Sequence, residues 1–190
     1  MMKRAIDIVL SIVGLVALSP LWALIAVALK MDSAGPVLYA QARVGKGGRQ
    51  FRIFKFRSMV ANADRIGPPL TAADDARITR VGRWLRRLRL DEIPQLLNVL
   101  KGDMSFVGPR PERPEFVASL TDQIPFYGQR HIVRPGITGW AQVCYTYGAT
   151  TEDALQKLQY DLYYIKNLSL SLDVFIIFET VKTVVLRKGA

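Results

Sequence analysis

Between Ala5 and Leu29 the chain runs AIDIVLSIVGLVALSPLWALIAVAL, with Asp7 as the only charge. A helix of that length reaches about 37 Å at roughly 1.5 Å per residue, enough to cross a bilayer core of about 30 Å. A cleaved signal peptide fits less well: the run is longer than a usual signal core, and no clear small-x-small site precedes Lys30. Ser19-Pro20 interrupts the run near its middle. Proline removes one helical hydrogen bond and clashes with the carbonyl four residues back, so a kink is predicted, with the Ser19 hydroxyl as a nearby partner for the freed backbone. Each half alone is too short to cross. Two geometries remain, a kinked spanning helix and a re-entrant one that turns at Ser19-Pro20 and leaves on the side it entered. Lys3-Arg4 at one end and Lys30 at the other favour the re-entrant form, although composition leaves both open.

The charge is placed unevenly. Of the net +10, residues 1–60 carry nine Lys/Arg against two Asp/Glu, residues 61–90 seven against three, and residues 91–190 ten against eleven. A basic excess beside an apolar segment points to an anionic membrane surface before it points to nucleic acid. Aromatic residues are not interleaved with the cations as a base-stacking platform requires, so no nucleic-acid partner is expected. A chain of 190 residues, half of them apolar, suits one domain with an attached segment. The division read here is 1–31 for the membrane helix and 32–190 for a membrane-associated globular domain. The single cysteine, Cys144, and single histidine, His131, exclude a disulfide framework, a cysteine-rich zinc site and a His-based cluster. Any chemistry must come from carboxylates, Lys/Arg and backbone.

VLYAQARV (37–44) and RQFRIFKFRSM (49–59) flank Gly45-Lys46-Gly47-Gly48 and predict a β-hairpin. The glycines lack phosphate-loop spacing. By the period of two, Phe51, Ile53, Lys55 and Arg57 share one face, putting two cations together. Residues 61–76 read as a polar loop, either a plain connection or a lid. ITRVGRWLRRLRL (78–90) predicts a basic amphipathic helix with Ile78, Val81, Leu85 and Leu88 on one side, suited to lying on a bilayer or to packing with a solvated outer face. Residues 151–167 predict a capped helix with Leu155, Leu158, Leu162 and Ile165 on one side, and 171–189 a more apolar helix that is packed or interfacial.

The chemical centre lies in LRRLRLDEIPQLLNVLKGDMSFVGPRPE (85–112). Pro94 suits the first turn of a helix ended by Lys101-Gly102, which places Asp91 and Glu92 at its N-terminus. Such a position favours ionised carboxylates and attracts phosphate; it is also where acidic residues commonly act as nothing more than caps. An aspartate kept anionic beside a phosphate site can be a nucleophile. Phosphates and a carboxylate repel one another, so cations or a divalent metal are needed. Arg86 and Arg89 lie just upstream, Gly108-Pro109-Arg110-Pro111 holds one arginine in a stiff loop, and RHIVRPGITGWAQV (130–143) adds Arg134, Gln142 and flexible glycines that could hold a nucleotide diphosphate. Trp140 in that loop is equally suited to a core.

These residues carry a resemblance. Ser19-Pro20 in the apolar segment, Lys55-Phe56-Arg57-Ser58-Met59, Leu90-Asp91-Glu92-Ile93-Pro94-Gln95-Leu96, Gly102-Asp103-Met104-Ser105, Gly108-Pro109-Arg110-Pro111 and Arg134-Pro135-Gly136-Ile137-Thr138-Gly139-Trp140 recur in order nearly end to end. The chain thereby resembles the bacterial sugar transferases, monotopic phosphoglycosyl transferases acting on polyprenyl phosphate, and its ending resembles the exopolysaccharide-initiating subgroup. The resemblance implies a mainly helical α/β fold: a re-entrant membrane helix, a small hairpin and amphipathic interfacial helices packed into one compact domain on the cytosolic face of the bacterial inner membrane. It implies that Asp91 attacks the β-phosphate of a UDP-sugar, releasing UMP, and that polyprenyl phosphate then takes the sugar phosphate from Asp91. Glu92 would assist, Mg²⁺ would bind at Asp91 and Glu92, and Lys55, Arg86 and Arg110 would contact phosphate or support the site. Arg57, Arg134 and Gln142 are further candidates for substrate contact, and Asp161 matches a recurrent acidic position. Cys144 stands where the subgroup has Asn, which bears on donor preference. The chain corresponds to the bare catalytic unit, without the extra membrane helices some relatives carry in front, and a homodimer is compatible with it. Two other readings fit parts of the pattern: a non-enzymatic basic module on acidic lipid, and a membrane phosphatase with water as acceptor.

Overall fold

The computed structural model describes residues 2–67, 75–145, 148 and 150–185, apart from the side chains at 64, 65, 184 and 185. The segment 61–76, read as a loop or lid, therefore lies partly outside the described residues. The N-terminal run forms two helices, α1 (Met2–Ala17) and α2 (Ser19–Asp32), bent by 59° at Leu18. Pro20 has no N–H to offer the carbonyl of Val16, and the Ser19 hydroxyl donates to that carbonyl instead, at 2.8 Å. Neither helix alone is long and apolar enough to cross a bilayer; the bent pair together has that length and composition.

α1 is inside out relative to a soluble helix. Asp7 and Ser11 are buried and Gly14 lies against Leu96, while Val9, Val13 and Val16 are exposed. A buried carboxylate needs donors, and Asp7 finds the Ser105 hydroxyl and the Phe106 N–H, each at 3.1 Å. Lys3 pairs with Asp173 at 2.6 Å, and Arg4 donates to the carbonyls of Val99 and Leu100. These two cations are thus docked on the globular part as well as standing at the helix start. The other end is held as firmly. Arg57 donates to the carbonyls of Leu29, Ser33 and Ala34, and Asp32 accepts from the Val81 N–H at 3.0 Å.

The predicted hairpin is present: β1 (Leu38–Val44) runs antiparallel to β2 (Gln50–Phe56), with Leu38 opposite Phe56 and Val44 opposite Gln50. Gly47 and Gly48 turn the connection at φ of 67° and 75°, a region that side chains resist. The one-turn α3 (Ala63–Ile66) leads toward α4 (Arg80–Arg87), whose start is capped by Thr79 accepting from the Gly82 N–H at 3.0 Å. α4 is shorter than the pattern over 78–90 predicts, and Leu88 lies past its end, exposed. Leu85 joins Ile25, Leu29 and Phe56 in one core cluster, so the bent helix pair and the hairpin share packing. Trp84 is 64% exposed on the outer side among the arginines.

A 3₁₀ turn (Leu90–Glu92) precedes α5 (Gln95–Lys101), which Gly102 closes at φ 95°. The carboxylates therefore sit one short turn ahead of the helix, not within its first turn. β3 (Ser105–Val107) pairs in parallel with β4 (Gly136–Thr138), with α6 (Pro114–Gln123) and a 3₁₀ segment (Tyr127–Ile132) between them. Gly108 and Gly136 let the two loops meet, since a Cβ on either would strike the other's backbone. These glycines answer a packing need.

α7 (Trp140–Cys144), α8 (Thr151–Lys166) and α9 (Leu170–Val185) complete the domain. Thr150 and Asp153 form a reciprocal cap at the start of α8. The buried stripe of α8 is Leu158, Asp161 and Tyr164, and Leu155 is exposed, so the apolar face read from sequence is rotated. Trp140 packs between Tyr163 and Phe175, with centroids 6.1 and 6.0 Å away, and so serves the core. The whole is a mainly helical α/β arrangement with two small sheets.

Candidate active site

Three elements converge on Glu92. β2 brings Lys55, the 3₁₀ turn brings Asp91 and Glu92, and the loop after β3 brings Arg110. Lys55 Nζ donates to Glu92 Oε1 at 2.7 Å, and Arg110 Nη2 donates to the same oxygen at 3.2 Å. Burial alone would raise the Glu92 carboxyl, but the two cations outweigh it and hold the group well below the usual carboxylate range. Glu92 is thus a fixed anion with Oε1 engaged twice.

Asp91, next to it, is treated differently. It is 7% exposed, and among the described residues no group donates a hydrogen bond to its carboxylate. Burial raises its pKa against the pull of Lys55, Arg86 and Arg89, and the Glu92 charge adds to the rise. Two adjacent carboxylates thus have different environments, one held by two cations and one with no hydrogen-bond donor among the described residues.

The loop Gly108-Pro109-Arg110-Pro111 is pinned at every backbone turn. Gly108 N–H donates to Thr138 O and Gly136 N–H to Pro109 O, each at 2.9 Å, and Arg43 Nη1 donates to Pro111 O at 3.1 Å. Arg130 Nη2 donates to the Arg110 carbonyl at 3.0 Å. Arg130 is itself buried, hydrogen-bonded to the Tyr127 hydroxyl at 2.6 Å and ion-paired with Asp161 at 2.8 Å. A chain of contacts therefore runs from Asp161 through Arg130 to the backbone of Arg110 and on to Glu92.

The other sequence candidates are distributed more widely. Arg86 is half-buried on the last turn of α4, close enough to act electrostatically on Asp91. Arg57 is buried at the carbonyl end of α2, its guanidinium taken up by three backbone oxygens. The strand ends at Phe56, which turns Arg57 away from the face it was expected to share with Lys55. Arg134 Nε donates to the Gly102 carbonyl at 2.9 Å, at the far end of α5 from the carboxylates. Gln142 donates to the Ile137 carbonyl at 3.3 Å beside β4. Asp161 supports Arg130 from the core. Arg130 escaped the sequence reading; the signal was Asp161 three residues from both Leu158 and Tyr164, since a charge on a buried helical stripe demands a counter-charge.

Among the described residues no three His, Cys, Asp or Glu side chains converge, so an all-protein cage for a cation is absent there. Asp91 and the second oxygen of Glu92 do match the way Mg²⁺ is usually held, by one or two carboxylates with water and substrate phosphate oxygens completing the shell.

A profile of the bacterial sugar transferases matches residues 1–187. The chain is 52% identical over 188 residues to the UDP-N-acetylgalactosamine-undecaprenyl-phosphate N-acetylgalactosaminephosphotransferase of Aeromonas hydrophila, covering 99% of this chain and 44% of that protein. It is 46% identical to the undecaprenyl-phosphate glucose phosphotransferase of Komagataeibacter xylinus, covering 99% of this chain and 36% of the relative. Against the exopolysaccharide production protein PSS of Rhizobium leguminosarum bv. phaseoli the identity is 44%, over 95% of this chain and 93% of the relative. The chain thus spans less than half the length of the first two relatives and nearly all of the third. With the carboxylate pair, its cationic partners and the broken helix pair all inside the matched region, the chain belongs to the bacterial sugar transferase family.

Proposed function

We propose that the chain moves a sugar 1-phosphate from a UDP-sugar to polyprenyl (undecaprenyl) phosphate, as the first membrane step of exopolysaccharide or related glycan assembly. The carrying observation is the contrast between a buried Asp91 carboxylate with no hydrogen-bond donor among the described residues and a Glu92 pinned by Lys55 and Arg110. An Asp91 oxygen attacks the β-phosphorus of the donor. The bond from that phosphorus to the bridging oxygen breaks, and UMP leaves with the oxygen and its electron pair. A phosphate oxygen of the lipid then attacks the same phosphorus, the Asp91 oxygen departs as carboxylate, and polyprenyl diphosphate sugar is formed.

Burial keeps Asp91 poorly solvated and its oxygen basic, which strengthens it as a nucleophile. Lys55 has three donors, so it retains donors for phosphoryl oxygens while holding Glu92, and Arg110 adds its positive charge beside it. Arg86 adds positive potential from α4. Mg²⁺ at Asp91 and Glu92 would neutralise phosphate charge.

The reaction belongs at the cytosolic face of the bacterial inner membrane, with α1 and α2 as a re-entrant pair. Its support is that both ends of the pair are tied to one globular body, α1 through Lys3, Arg4 and Asp7 and α2 through Asp32 and the clamp of Arg57. The exposed apolar side of α1 then faces lipid.

The test is a covalent adduct. Incubation with a UDP-sugar and Mg²⁺, without lipid phosphate, should add a phosphosugar mass to the peptide bearing Asp91 and release UMP. Asp91→Asn should lose both adduct and turnover; an active Asn variant refutes the assignment.

A further inference from the structure

A charged cavity of about 210 Å³ opens between the first turn of α1, the loop before β4 and the junction of α8 with α9. Lys3, Arg4, Lys46 and Arg134 line it with Asp7 and Tyr164. Part of that charge is already answered. Lys3 is paired with Asp173, and Arg4 is placed on two carbonyls. The Arg134 Nη groups and the Lys46 ammonium are not: among the described residues only Nε of Arg134 has an acceptor, at Gly102, and Lys46 is exposed. Asp7, the one carboxylate in the wall, already accepts from Ser105 and Phe106. The cavity therefore presents open cationic donors.

Its surroundings select the kind of anion. Leu168 lies in the wall, and Met2, Leu168 and Val174 are exposed around the start of α1 and the α8–α9 junction. Along α1 the exposed apolar residues run from Met2 through Ile6 to Val16 and flank Lys3 and Arg4, so the cavity stands at the level where the apolar side of the helix begins. Cations at that level beside an apolar rim suit a phosphate attached to a hydrocarbon tail. The Asp91 cluster is elsewhere: the seven residues of α5, about 10 Å of helix at roughly 1.5 Å per residue, lie between it and Gly102, whose carbonyl Arg134 holds.

We propose that this cavity binds the phosphate of an anionic membrane phospholipid, at a site distinct from the catalytic carboxylates. The inference does not rest on the transfer reaction. The full chain in nanodiscs of phosphatidylcholine, with and without phosphatidylglycerol, would be released into native mass spectrometry and its retained lipid identified. One retained phosphatidylglycerol is expected in the parent and in Asp91→Asn. Lys46→Glu with Arg134→Gln should weaken retention roughly thirtyfold, at about 1 kcal/mol per cation lost. Lys46→Glu alone, at an exposed turn, should weaken it in the same direction with unchanged thermal unfolding, which separates lipid loss from misfolding. Retention unaffected by either variant overturns the site, loss in Asp91→Asn assigns the lipid to the catalytic cluster instead, and displacement by soluble glycerol phosphate at equal concentration shows a site for free phosphate and overturns the lipid assignment.

Discussion

Arg130 donates through Nη2 to the backbone carbonyl of Arg110 at 3.0 Å, and the side chain of Arg110 reaches Glu92 at 3.2 Å. One arginine thus fixes the place from which another acts. Because Arg130 touches only the backbone of the loop, its effect on catalysis must pass through Arg110. Arg130→Gln should lower kcat for UMP release roughly tenfold to hundredfold, the scale of one charge-assisted hydrogen bond, and Arg130→Lys should recover part of it. In the Arg110→Gln background the Arg130 change should then cost little more, since coupled residues are not additive. Fully additive losses would break the connection.

Removing the counter-charge tests the same chain from the core side. Asp161 and Arg130 are both buried, and their ion pair spans 2.8 Å. Truncating one partner of a buried pair strands the other, at a cost of about 3–5 kcal/mol. Asp161→Asn should therefore lower unfolding free energy by roughly that amount in denaturant titrations, whereas Arg130→Met with Asp161→Leu, which removes both charges together, should lose less.

The two carboxylates predict an asymmetric pH profile. Burial raises Asp91, and Lys55 is the strongest influence pulling it back. The nucleophile is the ionised form, so adduct formation falls as pH drops through the folded-state pKa of Asp91, above the ordinary value of about 3.9. Glu92 is held below the usual range and remains anionic across that limb, adding no second inflection. Lys55→Met removes the pull and should shift the acid limb to higher pH in single-turnover adduct assays. A limb that stays put, or moves to lower pH, would contradict the electrostatic picture.

How much of this was legible follows from the range of each determinant. The helix break at Ser19-Pro20 was readable because its cause, a missing N–H and the hydroxyl that replaces it, lies within four residues. The hairpin was readable because alternation and a glycine turn are local, and the carboxylate pair because its flanking proline and arginines are contiguous with it. Arg57 was misplaced by the period of two: the carbonyls that capture it, of Leu29, Ser33 and Ala34, lie at and just past the end of α2, more than twenty residues back. The α8 stripe was rotated for the same reason, since the partner that draws Asp161 inward is Arg130, thirty-one positions earlier and on another element. Polar partners at long sequence separation leave no periodic trace.

On the re-entrant proposal, the topology of the bent pair is set by what holds its ends. Lys3, Arg4 and Asp7 tie α1 to α9, α5 and β3, while Asp32 and the carbonyls gripped by Arg57 tie the end of α2 to α4 and to the residue that follows β2. Moving either end across a bilayer would break several buried polar contacts, whereas the bend needs only the Ser19 hydroxyl and the missing Pro20 N–H. Cysteines placed by Met2→Cys or Met31→Cys, both at exposed positions, in a Cys144→Ser background should each react with a membrane-impermeant maleimide in inverted vesicles, and neither in right-side-out ones. Pro20→Ala alone should keep that pattern, because the tethers outlast the kink. Adding Lys3→Ala, Arg4→Ala and Asp7→Leu removes the tethers and the one charge in the run, and should let a fraction of Met2→Cys molecules label from the opposite side. Opposite-side labelling of Met2→Cys and Met31→Cys in the otherwise unchanged chain would replace the re-entrant geometry with a spanning one.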